Sequence, residues 1–179
     1  QLLSNSGDEI YKTLLNLKEQ GFIKKIGASI YQPSELGNIY SKYSLELIQL
    51  PFNILDRRLI ETGWLSKLKR MNVEIHVRSA FLQGLLLMSK SQRPEKFNCW
   101  NDLWAKWDYW LKENNITALE ASIRYVLSIP EISKVIVGAD SALQLKEIIS
   151  AADGKLPSIP LELFSNDVSL LNPSNWNKL

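Results

Sequence analysis

Four short apolar segments constrain this chain more than any other feature. Each ends in small or polar residues, and helical patterning separates one from the next. Ile23 to Tyr31 carries Gly27-Ala28-Ser29, and Leu45 to Asn53 carries Gln49 and closes on Pro51-Phe52-Asn53. Ile75 to Ser79 runs into Ala80-Phe81-Leu82-Gln83-Gly84-Leu85-Leu86, and Lys134 to Ser141 closes on Gly138-Ala139-Asp140-Ser141. Strands that alternate with helices read as βα units and a parallel sheet. Polar residues at the carboxyl ends of such strands are where α/β folds hold ligands.

The connecting segments read as helices with defined ends. Ile10, Leu14, Leu15 and Leu17 give Asp8 to Gln20 an apolar face, and Gly21 stops it. The first strand is expected over Phe22 to Ile30. A short helix opens at Pro33 and runs toward Tyr40. The second strand is expected over Leu45 to Leu50, and Arg57 to Arg70 is helical in two parts around Gly63. The third strand covers Val73 to Ser79, and 87–96 forms a polar loop. A long helical stretch runs from Phe97 to Glu113 and breaks at Asn114-Asn115. Thr117 and Glu120 form a capping box before a helix that ends at Pro130. The fourth strand is Ser133 to Val137, and Ser141 caps a last helix, Ala142 to Ala152. From Gly154 the chain is rich in turn residues and is expected to lie on the surface as coil.

Counting strands is itself informative. A closed barrel of this kind needs eight strands and about 250 residues, and this chain has 179. Four parallel strands alone leave two edges and one face uncovered. The expected fold class is therefore α/β of the parallel (β/α) TIM-barrel type, with about four βα units making its second half. Residues 1–153 would form the half-barrel and 154–179 a tail packing on it. Two copies could complete each other by self-association.

Composition narrows the setting. A net charge of +2 gives no argument for nucleic acid or an anionic membrane as partner. No run approaches a membrane span. Gln1-Leu2-Leu3-Ser4-Asn5 lacks the layout of a signal peptide, and the missing initiator Met is what a fragment would show. One cysteine, Cys99, cannot form an internal disulfide, which favours a reducing, cytoplasmic location. It is expected to be a packed thiol.

At this point the residues resemble the aldo-keto reductase family. The resemblance runs from about Gly7 to Asp153. It is carried by Leu17 to Ser29, Gln49 to Arg58, Arg78 to Leu86 and Val135 to Ser141, four stretches in the family's order and spacing. Ser29-Ile30-Tyr31 and His76-Val77-Arg78-Ser79 look like a bacterial subgroup often found near sugar-modification genes. The match covers the second half of the family's barrel. The family's catalytic Asp, Tyr, Lys and His lie in the first half, so the resemblance assigns no catalytic residue here. It implies an oxidoreductase fold, carbonyl reduction by a nicotinamide cofactor in the full-length family, and no turnover by this chain alone.

The resemblance does imply cofactor contacts. Ser29 and Gln49 match residues that hold the nicotinamide amide, while the family's Asn is replaced by Ile30. Arg78 stands where the family stacks an aromatic ring on the nicotinamide. A guanidinium can also stack, beside a ring that is cationic when oxidised. Ser79, Phe81, Gln83 and Gly84 match the loop over the pyrophosphate. Gly138, Asp140, Gln144 and Glu147 match the region that reads the adenosine end. Asp140 would repel a 2′-phosphate and could accept from a ribose hydroxyl, which favours NAD over NADP. The family's Asn beside Glu147 is Ile148 here, so binding of neither cofactor by this half alone stays open. The alternative is a natural half-barrel that homodimerises, as a nucleotide-binding or non-enzymatic interaction module.

Other signals have plainer readings. His76, the only histidine, shares a strand face with Glu74 and Arg78. An internal ion-pair network explains it better than catalysis, and a lone His has too few partners for a metal. Trp100, Trp104, Trp107 and Trp110 recur at helical spacing. A stripe packed on the barrel exterior is the first reading, and a sugar-stacking or partner surface the second. Asp56-Arg57-Arg58 reads as charge pairing at a helix start. Gly27, Gly84 and Gly138 read as residues for tight strand-to-loop turns.

Overall fold

A computed structural model describes residues 1–179. Helix α1 (Gly7–Glu19) leads into strand β1 (Gly27–Ser29), followed by α2 (Glu35–Tyr40) and β2 (Leu47–Pro51). Then come α3 (Arg58–Glu61), α4 (Trp64–Arg70) and β3 (Glu74–Arg78). Helices α5 (Asn101–Glu113) and α6 (Ala118–Leu127) precede β4 (Lys134–Val135) and α7 (Ala142–Ala152), and α8 (Val168–Leu171) lies in the tail. The four strands form one sheet in the order β1-β2-β3-β4, every pair parallel. This is the sequential order of a (β/α) barrel wall.

The two faces of the sheet differ in kind. Ile48, Leu50, Ile75 and Val77 point to one face and are fully buried. They share a single core with Leu36 and Ile39 of α2, Leu65 and Leu68 of α4, and Ala121 and Val126 of α6. Alternation puts Ser29, Gln49, Glu74, His76 and Arg78 on the other face. Of these Ser29 is exposed and the rest are half-buried. In a closed barrel that face would be the interior.

Two strands are shorter than expected. Gly21, in the left-handed region at φ 79°, ends α1, and Phe22 N–H bonds back to the Leu17 carbonyl at 3.0 Å. That closure leaves Phe22 74% exposed and outside the sheet. Pairing begins only where Glu46 N–H meets the Ile26 carbonyl, at 2.9 Å. The fourth strand shrinks to Lys134–Val135 because it pairs on one side only. The helices hold closely to expectation, including the two-part segment split at Gly63 and the Thr117–Glu120 capping box.

The tail is not surface coil. Leu163, Leu170 and Leu171 are buried in the main core. α8 and a 3-10 turn over Pro173–Lys178 give it regular structure. Arg57 donates to the Leu163 carbonyl at 2.8 Å, and Ser165 N–H to the Leu55 carbonyl at 2.9 Å. The Trp176 ring packs edge-on against Phe97 at 4.9 Å.

The tryptophan stripe is core. Trp104, Trp107 and Trp110 are buried, and their indole N–H groups donate to the carbonyls of Phe97, Leu86 and Ser158. Trp100, half-buried, donates to Asp167 of the tail at 3.0 Å. The stripe therefore offers no partner surface. The expected packed thiol is also corrected. Cys99 is exposed, because it lies on the outer side of a 3-10 turn, Glu95–Trp100, before α5 begins.

Candidate functional site

At the carboxyl end of the sheet, the loop after β3 and the start of α7 enclose a cleft of about 630 Å³. Its lining includes Arg78, Ser79, Phe81, Gln83, Gly84, Gly138, Asp140, Gln144 and Glu147. Leu119, Ile136, Val137 and Ile148 are among its apolar walls. The volume lies in the range of small-molecule and cofactor sites.

The loop is held in a strained form. Ser79, Leu82 and Gln83 have φ of 62°, 47° and 54°, and Gly84 follows at 83°. The left-handed region costs a non-glycine residue roughly 1–2 kcal/mol, so the surroundings must impose it. Leu82 is fully buried, and the Asn53 side-chain amide donates to the Ser79 carbonyl at 3.2 Å. Asn53 is itself buried, and its Oδ1 accepts the Leu55 and Asp56 amides at 3.0 Å. Strain of this kind clusters at ligand clamps.

The other wall is a helix start. Ser141 Oγ accepts the Gln144 amide at 3.1 Å, and Gln144 Oε1 accepts the Asp140 amide at 2.7 Å. The Gln144 carbonyl oxygen is thus used in capping, and its NH2 group stays available to a ligand. A Cβ added at Gly138 meets nothing within 4 Å. Nothing in the chain's own packing demands glycine there, so Gly138 widens the cleft rather than shaping a turn. Of the other two glycines, Gly84 does serve a turn. Gly27 permits close strand approach, since its Cβ would lie 2.5 Å from the Leu47 carbonyl oxygen.

Ser29 and Gln49 stand apart from this cleft. They are register partners on β1 and β2, and Ser29 donates to Gln49 Oε1 at 3.0 Å. The Gln49 NH2 group is left unused within the chain. Arg78 shares their sheet face and also lines the cleft. Its guanidinium donates to the Ile30 carbonyl at 3.1 Å and lies 5.1 Å from the centre of the Tyr31 ring.

On the rest of the open face Glu74 links Lys25 and His76. His76 Nε2 meets Glu74 Oε1 at 2.7 Å, and Lys25 Nζ meets Glu74 Oε2 at 2.5 Å. The hydrogen bonds from Lys25 and then His76 hold the Glu74 carboxyl down at about 2. Arg78 takes no part in this network. No group of three or more His, Cys, Asp or Glu side chains is placed to hold a metal ion. No helix is long and apolar enough to cross a membrane.

Sequence reasoning missed Asn53 as the residue that pins the loop. Its signal was present, a polar residue at the end of an apolar strand. The apolar walls at Leu119, Ile136, Val137 and Ile148 had no signal distinguishing them from core. For the cleft lining as a whole, the chemistry fits a dinucleotide. It has apolar walls for a flat ring, a loop of small and polar residues at Ser79, Gln83 and Gly84, and the carboxylates Asp140 and Glu147 as acceptors. It contains no His, Tyr, Lys or Cys.

Comparison with known proteins bears on the fold and the family. The chain is 25% identical over 158 residues to the uncharacterized oxidoreductase YqkF of Bacillus subtilis (strain 168), covering 83% of this chain and 51% of that protein. The aldo-keto reductase AKR11C1 from Bacillus halodurans shares its fold. The holo form superposes with TM-score 0.66 at 24% identity, covering 84% of this chain and 52% of that one. The apo form gives 0.68 at 23% identity, with 90% and 56% covered. The chain thus spans about half the length of these relatives. The profile of the Aldo/keto reductase family matches residues 4–161, and the chain belongs to that family.

Proposed function

We propose that this chain is the cofactor-holding half of an aldo-keto reductase, and that it prefers NAD over NADP. The observation that carries the reading is the cleft between the strained loop 79–84 and the start of α7. When bound, a reduced nicotinamide supplies hydride to a carbonyl carbon. Gln49 is suited to hold the carboxamide through its free NH2, with Ser29 fixing its orientation. The loop from Ser79 to Gly84 is suited to cradle the pyrophosphate, Asp140 to accept from a ribose hydroxyl and Glu147 to contact the adenine. Arg78 is the only cation in the cleft lining. A 2′-phosphate beside Asp140 would meet a carboxylate rather than a guanidinium.

Carbonyl reduction also needs a proton donor near the carbonyl oxygen. The cleft lining has no His, Tyr, Lys or Cys, so the reading assigns that proton to groups outside the cleft. A reducing, cytoplasmic setting fits the exposed Cys99. The test is calorimetric titration with NADH and NADPH. NADH should bind more tightly, and Asp140→Arg should reverse the order, each by about tenfold, or ~1.4 kcal/mol. Equal affinities unchanged by the substitution would contradict the assignment.

A second reading rests on the half-open sheet. β1 and β4 are unpaired on their outer edges, and Leu143, Leu145 and Ile149 of α7 are exposed. Two copies related by an axis along the barrel would pair β4 with β1 in parallel. Sedimentation at low micromolar concentration decides it: a monomer rules this arrangement out.

A further inference from the structure

Resting on the cofactor reading, we propose that a second, smaller cleft beside Arg78 binds the oxyanion of a small acidic substrate. This cleft, of about 230 Å³, lies between the strand ends and the tail. Tyr31, Arg78, Gln83, Asn172 and Ser174 give it its polar groups. Arg78 and Gln83 belong to both clefts and form the wall between them.

The charge pattern decides what enters. Arg78 is half-buried and pairs with no carboxylate; every ion pair in the chain lies elsewhere. One side of its guanidinium is fixed by the Ile30 carbonyl and by stacking on Tyr31. That immobilises the fork while leaving donors unused. The large cleft already contains Asp140 and Glu147, whereas the small one has no acidic residue in its lining. An oxyanion is therefore favoured on the tail side. A fixed guanidinium matches carboxylate and phosphate alike through paired N–H donors. The cleft is too small for a nucleotide and suits a compact acid or phosphate ester.

The test is NMR titration of the isotope-labelled chain with acetate, inorganic phosphate and neutral acetamide at low salt. Saturable shifts at the Tyr31, Gln83 and Ser174 amides are expected with an oxyanion and not with acetamide. The stronger of the two oxyanions identifies the substrate as acid or phosphate ester. Arg78→Gln and, independently, Ser174→Asp should each weaken binding by about tenfold or more, ~1.4 kcal/mol. Ser174 is exposed, so its substitution leaves the fold intact. Shifts that fail to saturate, that survive both substitutions, or that acetamide reproduces would overturn the proposal. NADH affinity in Ser174→Asp separates the two readings. Retained NADH binding with lost anion binding supports both. Anion binding in a chain that never binds NADH supports the anion site and removes the cofactor reading.

Discussion

Single residues fix the ends of strands, and their charges can be tested one at a time. Asp56 is 2% exposed and forms a two-point ion pair with Arg58, at 2.8 and 2.7 Å. That pairing at the start of α3 is what Asp56-Arg57-Arg58 suggested in the sequence. Removing one partner of a buried pair strands the other, so Asp56→Ala should cost about 3–5 kcal/mol in urea unfolding. A loss below about 1 kcal/mol, the scale of an exposed pair, would show that the pair is solvated. Glu74 tests a different quantity. Its folded carboxyl sits at about 2, against 4.5 when unperturbed. A depressed acid contributes stability fully above the unfolded value and loses it as pH falls through the folded one. The urea midpoint should therefore fall between about pH 4.5 and 2, and Glu74→Gln should flatten that part of the profile. An unchanged profile in the variant would assign the acid sensitivity to other carboxylates.

At the scale of elements, the loop 79–84 shows where sequence reading succeeds and where it stops. That Arg78-Ser79 and Gln83-Gly84 gather at a strand end, where they line the cleft, was legible because polar residues follow an apolar strand. The left-handed backbone at Ser79, Leu82 and Gln83 was not legible. None of those residue types favours that region, and the buried Leu82, the Asn53 bond and the loop's own main-chain bonds hold it there. Gly84→Ala adds a fourth strained residue, so it should destabilise by about 1–2 kcal/mol and weaken cofactor binding as well. Unaltered stability, measured by thermal unfolding, would mean that the loop relaxes freely. Helices were read well because caps and apolar periodicity are local. The outer strands were overextended, because strand length depends on how many neighbours pair, which no local pattern records. Cys99 was misplaced for a similar reason: helical spacing continued through a segment that folds as a 3-10 turn.

Across the whole molecule, the half-barrel keeps one face of its sheet under helices and the other half-open. The parallel order was legible from the alternation of strands and helices. The role of the tail was not, because Leu163, Leu170 and Leu171 are separated by turn residues and show no periodicity. Their burial predicts that a chain ending at Leu156 loses cooperative unfolding, whereas a merely surface-bound tail could be removed with little change in the urea midpoint. The central claim is that this chain by itself carries a nicotinamide-cofactor cleft. Energy transfer from tryptophan to NADH during titration tests it most directly, on the unaltered chain, Gly138→Leu and Gln49→Ala. Saturable transfer is expected on the unaltered chain. Gly138→Leu fills the cleft with a side chain and should weaken binding at least about tenfold, ~1.4 kcal/mol. Gln49→Ala removes the carboxamide contact and should weaken it too. No saturation at millimolar NADH, or equal binding in all three proteins, would contradict the account.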